Sequence, residues 1–192
     1  MKNIVKAMLL SALMLFSSMA YAATYKVKVY GEITDNKQAK QNLAIIQRAH
    51  EGDTIIIYIN SPGGRIDILF AYQKALLNSG AHTISVVDNY DIAASAAGIL
   101  AVSVDEPRLA PKAIWMAHMA RAGDSPMRDV TVFIYSQCCT RVLTNSDMTR
   151  ILVGGEIWLS GQEVMRRLNS PEMVQSPVQS SSEQKEETSI VK

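Results

Sequence analysis

The chain has 192 residues, 48% of them apolar, with 19 Lys and Arg against 18 Asp and Glu for a formal net charge of +1. That length accommodates one domain with a sizeable core, and a charge so near zero, without a basic run, gives no electrostatic basis for binding nucleic acid. Beyond the first 22 residues no stretch approaches the roughly 20 apolar residues that cross a bilayer, so a soluble product with no membrane attachment is expected.

The chain opens with "MKNIVKAMLLSALMLFSSMAYA", in which Lys2 and Lys6 precede an apolar run (7–16) and Ala20-Tyr21-Ala22 gives a small-x-small ending. This is the pattern of a secretory signal peptide cleaved after Ala22, and the apolar run is too short for an anchor. A periplasmic or secreted protein is expected. Two lysines and no acid leave with residues 1–22, which takes the net charge from +1 to −1.

Strands and helices alternate from there. "TYKVKVYGEI" places Tyr25, Val27 and Val29 on one side and Lys26 and Lys28 on the other, as a half-buried strand does. "AKQNLAIIQRAH" carries Ala39, Leu43 and Ile46 at helical spacing. "TIIIYI" (54–59) is the continuous run of a strand covered on both faces. Ile66, Leu69, Phe70, Leu76 and Leu77 then mark the inward side of a helix that Gly80 ends. "HTISVV" (82–87) reads as a strand, "AASAAGILAVSV" as a helix and "AIWMAH" (113–118) as a strand. This alternation implies a parallel sheet covered by helices.

Residues 127–152 read as one long helix or a broken pair, with Val130, Phe133, Ile134 and Val142 as an apolar stripe too large for so small a domain to cover alone. Cys138 and Cys139 are neighbours; on a helix they point about 100° apart, so a bridge between them would be strained. Burial as small apolar side chains is expected of them. Ser160 and Glu163 have capping-box spacing, which starts a helix just after Ser160. The domain is expected to span 23–168, and the polar segment 169–192 to be a disordered tail.

The chemistry concentrates around "YINSPGG". A strand that ends in a Gly pair and runs into a helix presents unpaired N–H groups where partial positive charge gathers, and glycine lets the backbone approach a bound group. No Gly-Lys-Ser/Thr or G-x-G-x-x-G pattern accompanies it, so the N–H groups point to an oxyanion hole rather than a phosphate cradle, and no cofactor or metal is expected. The nucleophile to match is Ser95, among small residues in "DIAASAAG", with the N–H groups of Gly64 and Ala96 facing the same carbonyl. His118 ends a strand at the corresponding sheet edge and is the candidate base, while His50 precedes an acidic turn and His82 opens a strand. Glu156 is the candidate acid that orients the imidazole. Singly, each has a plainer reading: Ser95 as a packing residue, His118 as a core histidine, Glu156 as a charge favouring the nearby helix start.

Taken together and in this order, "YINSPGG", "AASAAG", "PKAIWMAH" and an acid four residues before the Ser of "LSGQEV" resemble the proteolytic subunit of the Clp protease, over about residues 25–168. The resemblance implies an α/β fold, the ClpP/crotonase-like spiral of ββα units, and a serine-type endopeptidase. Position by position it implies Ser95 as nucleophile, His118 as general base, Glu156 as third member, and Gly64 and Ala96 as oxyanion-hole donors. It also implies peptides or unfolded proteins as substrates and a homo-oligomer whose contacts lie after His118.

Three departures qualify what is carried over. Glu stands at 156 where the family usually has Asp, the interval from His118 to Glu156 is short, and with cleavage after Ala22 the expected mature chain starts almost at the first strand, so the axial loops that dock an ATP-driven unfoldase are not expected. Coupling to an unfoldase is therefore not expected. Two readings from other classes stand beside the peptidase: a crotonase-like acyl-CoA enzyme using the same oxyanion hole, and a catalytically silent assembly protein. A Ser-Lys peptidase finds no lysine between His118 and the tail.

Overall fold

Alternating apolar and charged residues make the first strand. In the computed structural model, which describes residues 22–170, β1 (Thr24–Tyr30) buries Val27 and Val29 and leaves Lys26 and Lys28 in solvent. The expected leader, apart from Ala22, and the expected tail, apart from Asn169 and Ser170, lie outside the described residues. Asn36 accepts a hydrogen bond from the Ala39 N–H at 2.9 Å and so starts α1 (Lys37–Ile46), which buries Ala39 and Ile46.

β2 (Thr54–Asn60) runs parallel to β1 and has Ile55, Ile57 and Ile59 wholly buried. Its other face is only half-buried, not covered as the apolar run implies, because Ile56 and Tyr58 stand in register beside Lys26 and Lys28. α2 (Ile66–Ser79) ends at Gly80, whose φ of 64° suits glycine. Its inward stripe is Leu69, Tyr72 and Leu76. Phe70 and Leu77, expected on that stripe, lie one residue, about 100°, further round and are exposed.

β3 (His82–Val87) pairs parallel with β2, and β5 (Glu106–Leu109) with β3, which completes a parallel sheet ordered β1-β2-β3-β5. Between them, β4 (Ile92–Ala94) takes the first residues of the segment expected to be helical from Ala93. The reason is pairing: Ala93 and Ala94 stand opposite Trp115 and Met116 of β6 (Ile114–Ala117), so the helix α3 (Ala96–Val102) begins only after Ser95. A two-residue hairpin, β7 (Arg121–Ala122) with β8 (Ser125–Pro126), follows.

The region 127–152 is the broken pair: α4 (Arg128–Cys138) and α5 (Asn145–Leu152). Thr144 starts α5 with a reciprocal capping box to Asp147. Of the apolar stripe, Ile134 and Val142 are buried within the chain and Val130 is half-buried, while Phe133, 59% exposed, remains uncovered; Val132, outside that stripe, is exposed beside it.

β9 (Ile157–Ser160) runs antiparallel to β6 and completes a second sheet, β4-β6-β9. α6 (Gly161–Leu168) starts directly after Ser160, which accepts from the Glu163 N–H at 3.2 Å. The Glu163 carboxylate is held by Arg166 and Arg167, and Arg167 also reaches Asp147 and the Val142 carbonyl, tying α6 to α5.

Ser61 links the two sheets. Its N–H donates to the Ile92 carbonyl at 2.7 Å and its carbonyl accepts from the Ala94 N–H at 3.0 Å, so the end of β2 lies along β4. Parallel strands, crossover helices and this strand-to-strand hand-over make the expected α/β fold, with the carboxyl ends of β2, β4 and β6 converging. Among the described residues no helix is long and apolar enough to cross a membrane.

Candidate active site

The glycine pair is explained by what each residue approaches. A Cβ on Gly63 would stand 2.5 Å from the Ala94 carbonyl oxygen and 2.7 Å from the Ser95 Cβ. One on Gly64 would stand 2.3 Å from the Ile33 carbonyl oxygen, and both residues have positive φ, 96° and 145°. The first glycine thus lets the turn after β2 seat against the turn that carries Ser95, and the second seats it against Ile33.

Hydrogen bonding then singles out two N–H groups. The Gly63 N–H donates to Ser61 Oγ at 3.1 Å and the Arg65 N–H to the Ile33 carbonyl at 2.8 Å. Between them the Gly64 N–H has no partner among the described residues. The Ser95 N–H donates to the Met116 carbonyl at 2.8 Å, while that of Ala96, the first residue of α3, likewise has no described partner. Such free donors at a helix start carry partial positive charge.

Ser95 occupies a conformation that L-residues avoid, φ 53° and ψ −124°, at the junction of β4 and α3. Strain of this kind costs on the order of 1–3 kcal/mol and persists because the surroundings impose it; here the clamps are the Met116 carbonyl on its N–H and the Ile99 N–H on its carbonyl, at 2.8 and 3.0 Å. The sharp turn leaves the side chain partly exposed at the mouth of a cavity of about 600 Å³.

That cavity gathers Gly64, Ser95, Ala96 and His118, four of the five residues singled out in the sequence. Its walls are apolar, from Ile66, Phe70, Ile99, Val130 and Ile134, with Glu32, Arg65, Asp67 and Arg121 also in its lining. Arg65 and Asp67 pair with each other in solvent at 2.6 Å and also belong to this lining. His82 is elsewhere, beside Asp105 and Glu106, and His50 is exposed.

Glu156 immediately precedes β9 and is not engaged with His118. The β6–β9 pairing ends at Ala117 opposite Ile157, one residue short of each. The Glu156 carboxylate accepts instead from the Trp158 indole N–H at 2.9 Å, and it is not part of the cavity wall.

Two residues that sequence reading passed over hold the His118 segment. Buried Tyr135 donates its hydroxyl to the His118 carbonyl at 2.9 Å and accepts from the His118 N–H at 3.2 Å. One turn earlier, buried Thr131 accepts from the Ala120 N–H at 2.9 Å. Burial, followed by the charge of Cys139, pushes the Tyr135 phenol far above its ordinary range, so it stays a donor. The signal was legible in "VTVFIYSQ" as two hydroxyls at i, i+4 on an inward helix side.

The arrangement supplies a serine on a strained strand-to-helix turn, an imidazole at the same cavity, and two free N–H donors beside them. The sequence model of the Clp protease family matches residues 14–138, nearly two thirds of the chain, a span that includes Gly64, Ser95, Ala96 and His118 and ends before Glu156. Among curated proteins none matches the chain. The chain belongs to the Clp protease family.

Proposed function

We propose that this Clp-family chain is an exported serine endopeptidase that hydrolyses peptide bonds with Ser95 as nucleophile, His118 as general base, Glu156 as the orienting acid, and the Gly64 and Ala96 N–H groups as the oxyanion hole. The observation that carries this reading is the meeting of strained Ser95, His118 and the two unpartnered N–H groups at one cavity. In the reaction His118 takes the Ser95 proton as the hydroxyl attacks the scissile carbonyl, and the oxyanion that forms is met by the two N–H groups. The imidazolium then protonates the leaving amine, and water repeats the sequence on the acyl-serine. In this reading Glu156 exchanges the Trp158 indole for the His118 imidazole, and the end of the β6–β9 pairing one residue short of both supports it.

The leader pattern over residues 1–22 supports a periplasmic or secreted location, and a compartment without ATP gives an unfoldase nothing to run on. Substrates are then short or already unfolded chains. Exposed Val132 and Phe133 on α4 support a homo-oligomer formed across that helix.

The test is turnover of a short unstructured peptide by purified protein and by Ser95→Ala and His118→Ala. Because members of such a set act as a unit, each variant should lose essentially all activity; retained turnover in His118→Ala moves the base elsewhere. A catalytically silent assembly protein is the second reading, favoured by the Glu156–Trp158 bond, and it predicts no turnover in any form.

A further inference from the structure

Cys138 ends α4 and Cys139 caps it, with φ −117° and ψ 9°, already outside helical geometry. The roughly 100° divergence that makes a bridge between helical neighbours strained therefore does not apply, and the two sulfurs lie 3.0 Å apart. Cys139 is wholly buried, while Cys138 is half-buried and opens into a second cavity, of about 920 Å³, that it shares with Gln73, His82, Ser103 and Gln137. The two thiols thus differ in access. A reagent in the cavity meets Cys138 first, and Cys139 waits behind it.

We infer that Cys138 and Cys139 form a redox-active dithiol that thiol–disulfide exchange closes to a disulfide within the chain. The oxidant is a small disulfide entering the second cavity. The Cys138 thiolate attacks one sulfur of that disulfide, forming a mixed disulfide and releasing one thiolate. Cys139 then passes its proton to the thiolate just released and attacks the Cys138 sulfur, releasing the second thiolate, which takes up a proton from water, so two protein thiols are oxidised and one external disulfide is reduced to two thiols. Hydrogen bonding from the Cys139 thiol, and then from Ser103, holds Cys138 below its ordinary range against the effect of burial; burial pushes Cys139 well up. The order of attack follows from that difference as well as from access.

Closure has a structural consequence. The sulfurs must approach to about 2.05 Å, and side chains on adjacent residues cannot turn so far without turning the peptide that joins them. The N–H of that peptide donates to the Tyr135 carbonyl at 3.0 Å, the last bond of α4, and Tyr135 is the residue that grips His118. Oxidation is therefore expected to loosen the His118 segment and slow peptide hydrolysis. This consequence rests on the peptidase reading; ring closure itself is read by mass and decided without it.

The experiment exposes purified full chain to oxidised glutathione, quenches with N-ethylmaleimide and records intact mass and a non-reducing gel. The wild type should appear as a single chain lacking two hydrogen atoms, with no maleimide and no glutathione. Cys139→Ala should stop at the Cys138–glutathione adduct, and Cys138→Ala should take no adduct. Phenylarsine oxide, whose arsenic binds two thiols with loss of water, gives a readout that needs no variant: one arsenic per chain should block both thiols. A wild type that keeps the adduct, accepts two maleimides after oxidation, or cross-links to a second chain overturns the inference, as does arsenic uptake that leaves a thiol free.

Discussion

Tyr135 grips His118 at both of its backbone hydrogen-bonding groups, donating to the carbonyl at 2.9 Å and accepting from the N–H at 3.2 Å. The helix thus holds the His118 segment through main-chain atoms. Removing the hydroxyl strands a partly buried donor and acceptor, at about 1–3 kcal/mol. Tyr135→Phe should therefore lose about tenfold or more in kcat with KM nearly unchanged, a split that steady-state kinetics on a short peptide resolves.

Gly63 offers a test of the turn beneath Ser95. Its hypothetical Cβ meets main-chain and Cβ atoms of Ala94 and Ser95, none of which is the end of a flexible side chain. Gly63→Ala should cost about 1–3 kcal/mol from overpacking, with added strain from the positive φ. Chemical denaturation measures that loss, and activity should fall further than the unfolded fraction explains, because the clash pushes on Ser95 itself.

The strain at Ser95 predicts an unusual ordering of two inactive variants. Alanine keeps the unfavourable φ of 53°, whereas glycine relieves it. Ser95→Gly should be more stable than Ser95→Ala by about 1 kcal/mol after the extra freedom of the unfolded glycine chain is subtracted. Thermal melts of the two side by side give the answer; a less stable glycine variant would mean that the turn is not strained.

Acid should loosen the α5–α6 junction. Arg166 and then Arg167 hold the Glu163 carboxyl down to about 2, below the ordinary value of about 4.5. A depressed carboxyl contributes stability that is fully present above its unfolded value and is lost as pH falls toward the folded one, so the loss falls between about pH 4.5 and 2. Urea midpoints at about pH 5 and pH 3 should differ less in Glu163→Gln than in the wild type, and high salt should shrink the difference for this partly exposed group.

The uncovered side of α4 leads to an assembly prediction. Phe133 is 59% exposed beside Val132, while Ile134 on the other side of the same helix is buried. Light scattering should find the wild type as an oligomer at micromolar concentration and Phe133→Glu dissociated, since a charge buried at a subunit contact without a partner costs several kcal/mol. A monomeric wild type would refute the assembly.

What was readable in the sequence follows from which forces are local. β1 and the αL end of α2 at Gly80 came from alternation and from the special freedom of glycine, and both signals reside in a few neighbouring residues. β4, β5 and β9 did not, because three or four residues such as "IAA" or "EPRL" become strands only by pairing with partners distant in the chain. That Ser95 and His118 meet at one cavity was legible because each was read at an element end on the same edge of the sheet. The i, i+4 spacing of Thr131 and Tyr135 stands in the sequence, but what their hydroxyls hold, like the Glu156–Trp158 bond, depends on where α4 and β9 pack.

The central claim is that Ser95 is an activated nucleophile, and covalent labelling reads that activation directly. Purified protein treated with a fluorophosphonate probe, digested and mapped by mass spectrometry, should carry the phosphonyl group on Ser95, with labelling abolished in Ser95→Ala and reduced by orders of magnitude in His118→Ala. Folded wild-type protein that leaves Ser95 unmodified, or labels it equally well without His118, would contradict the account.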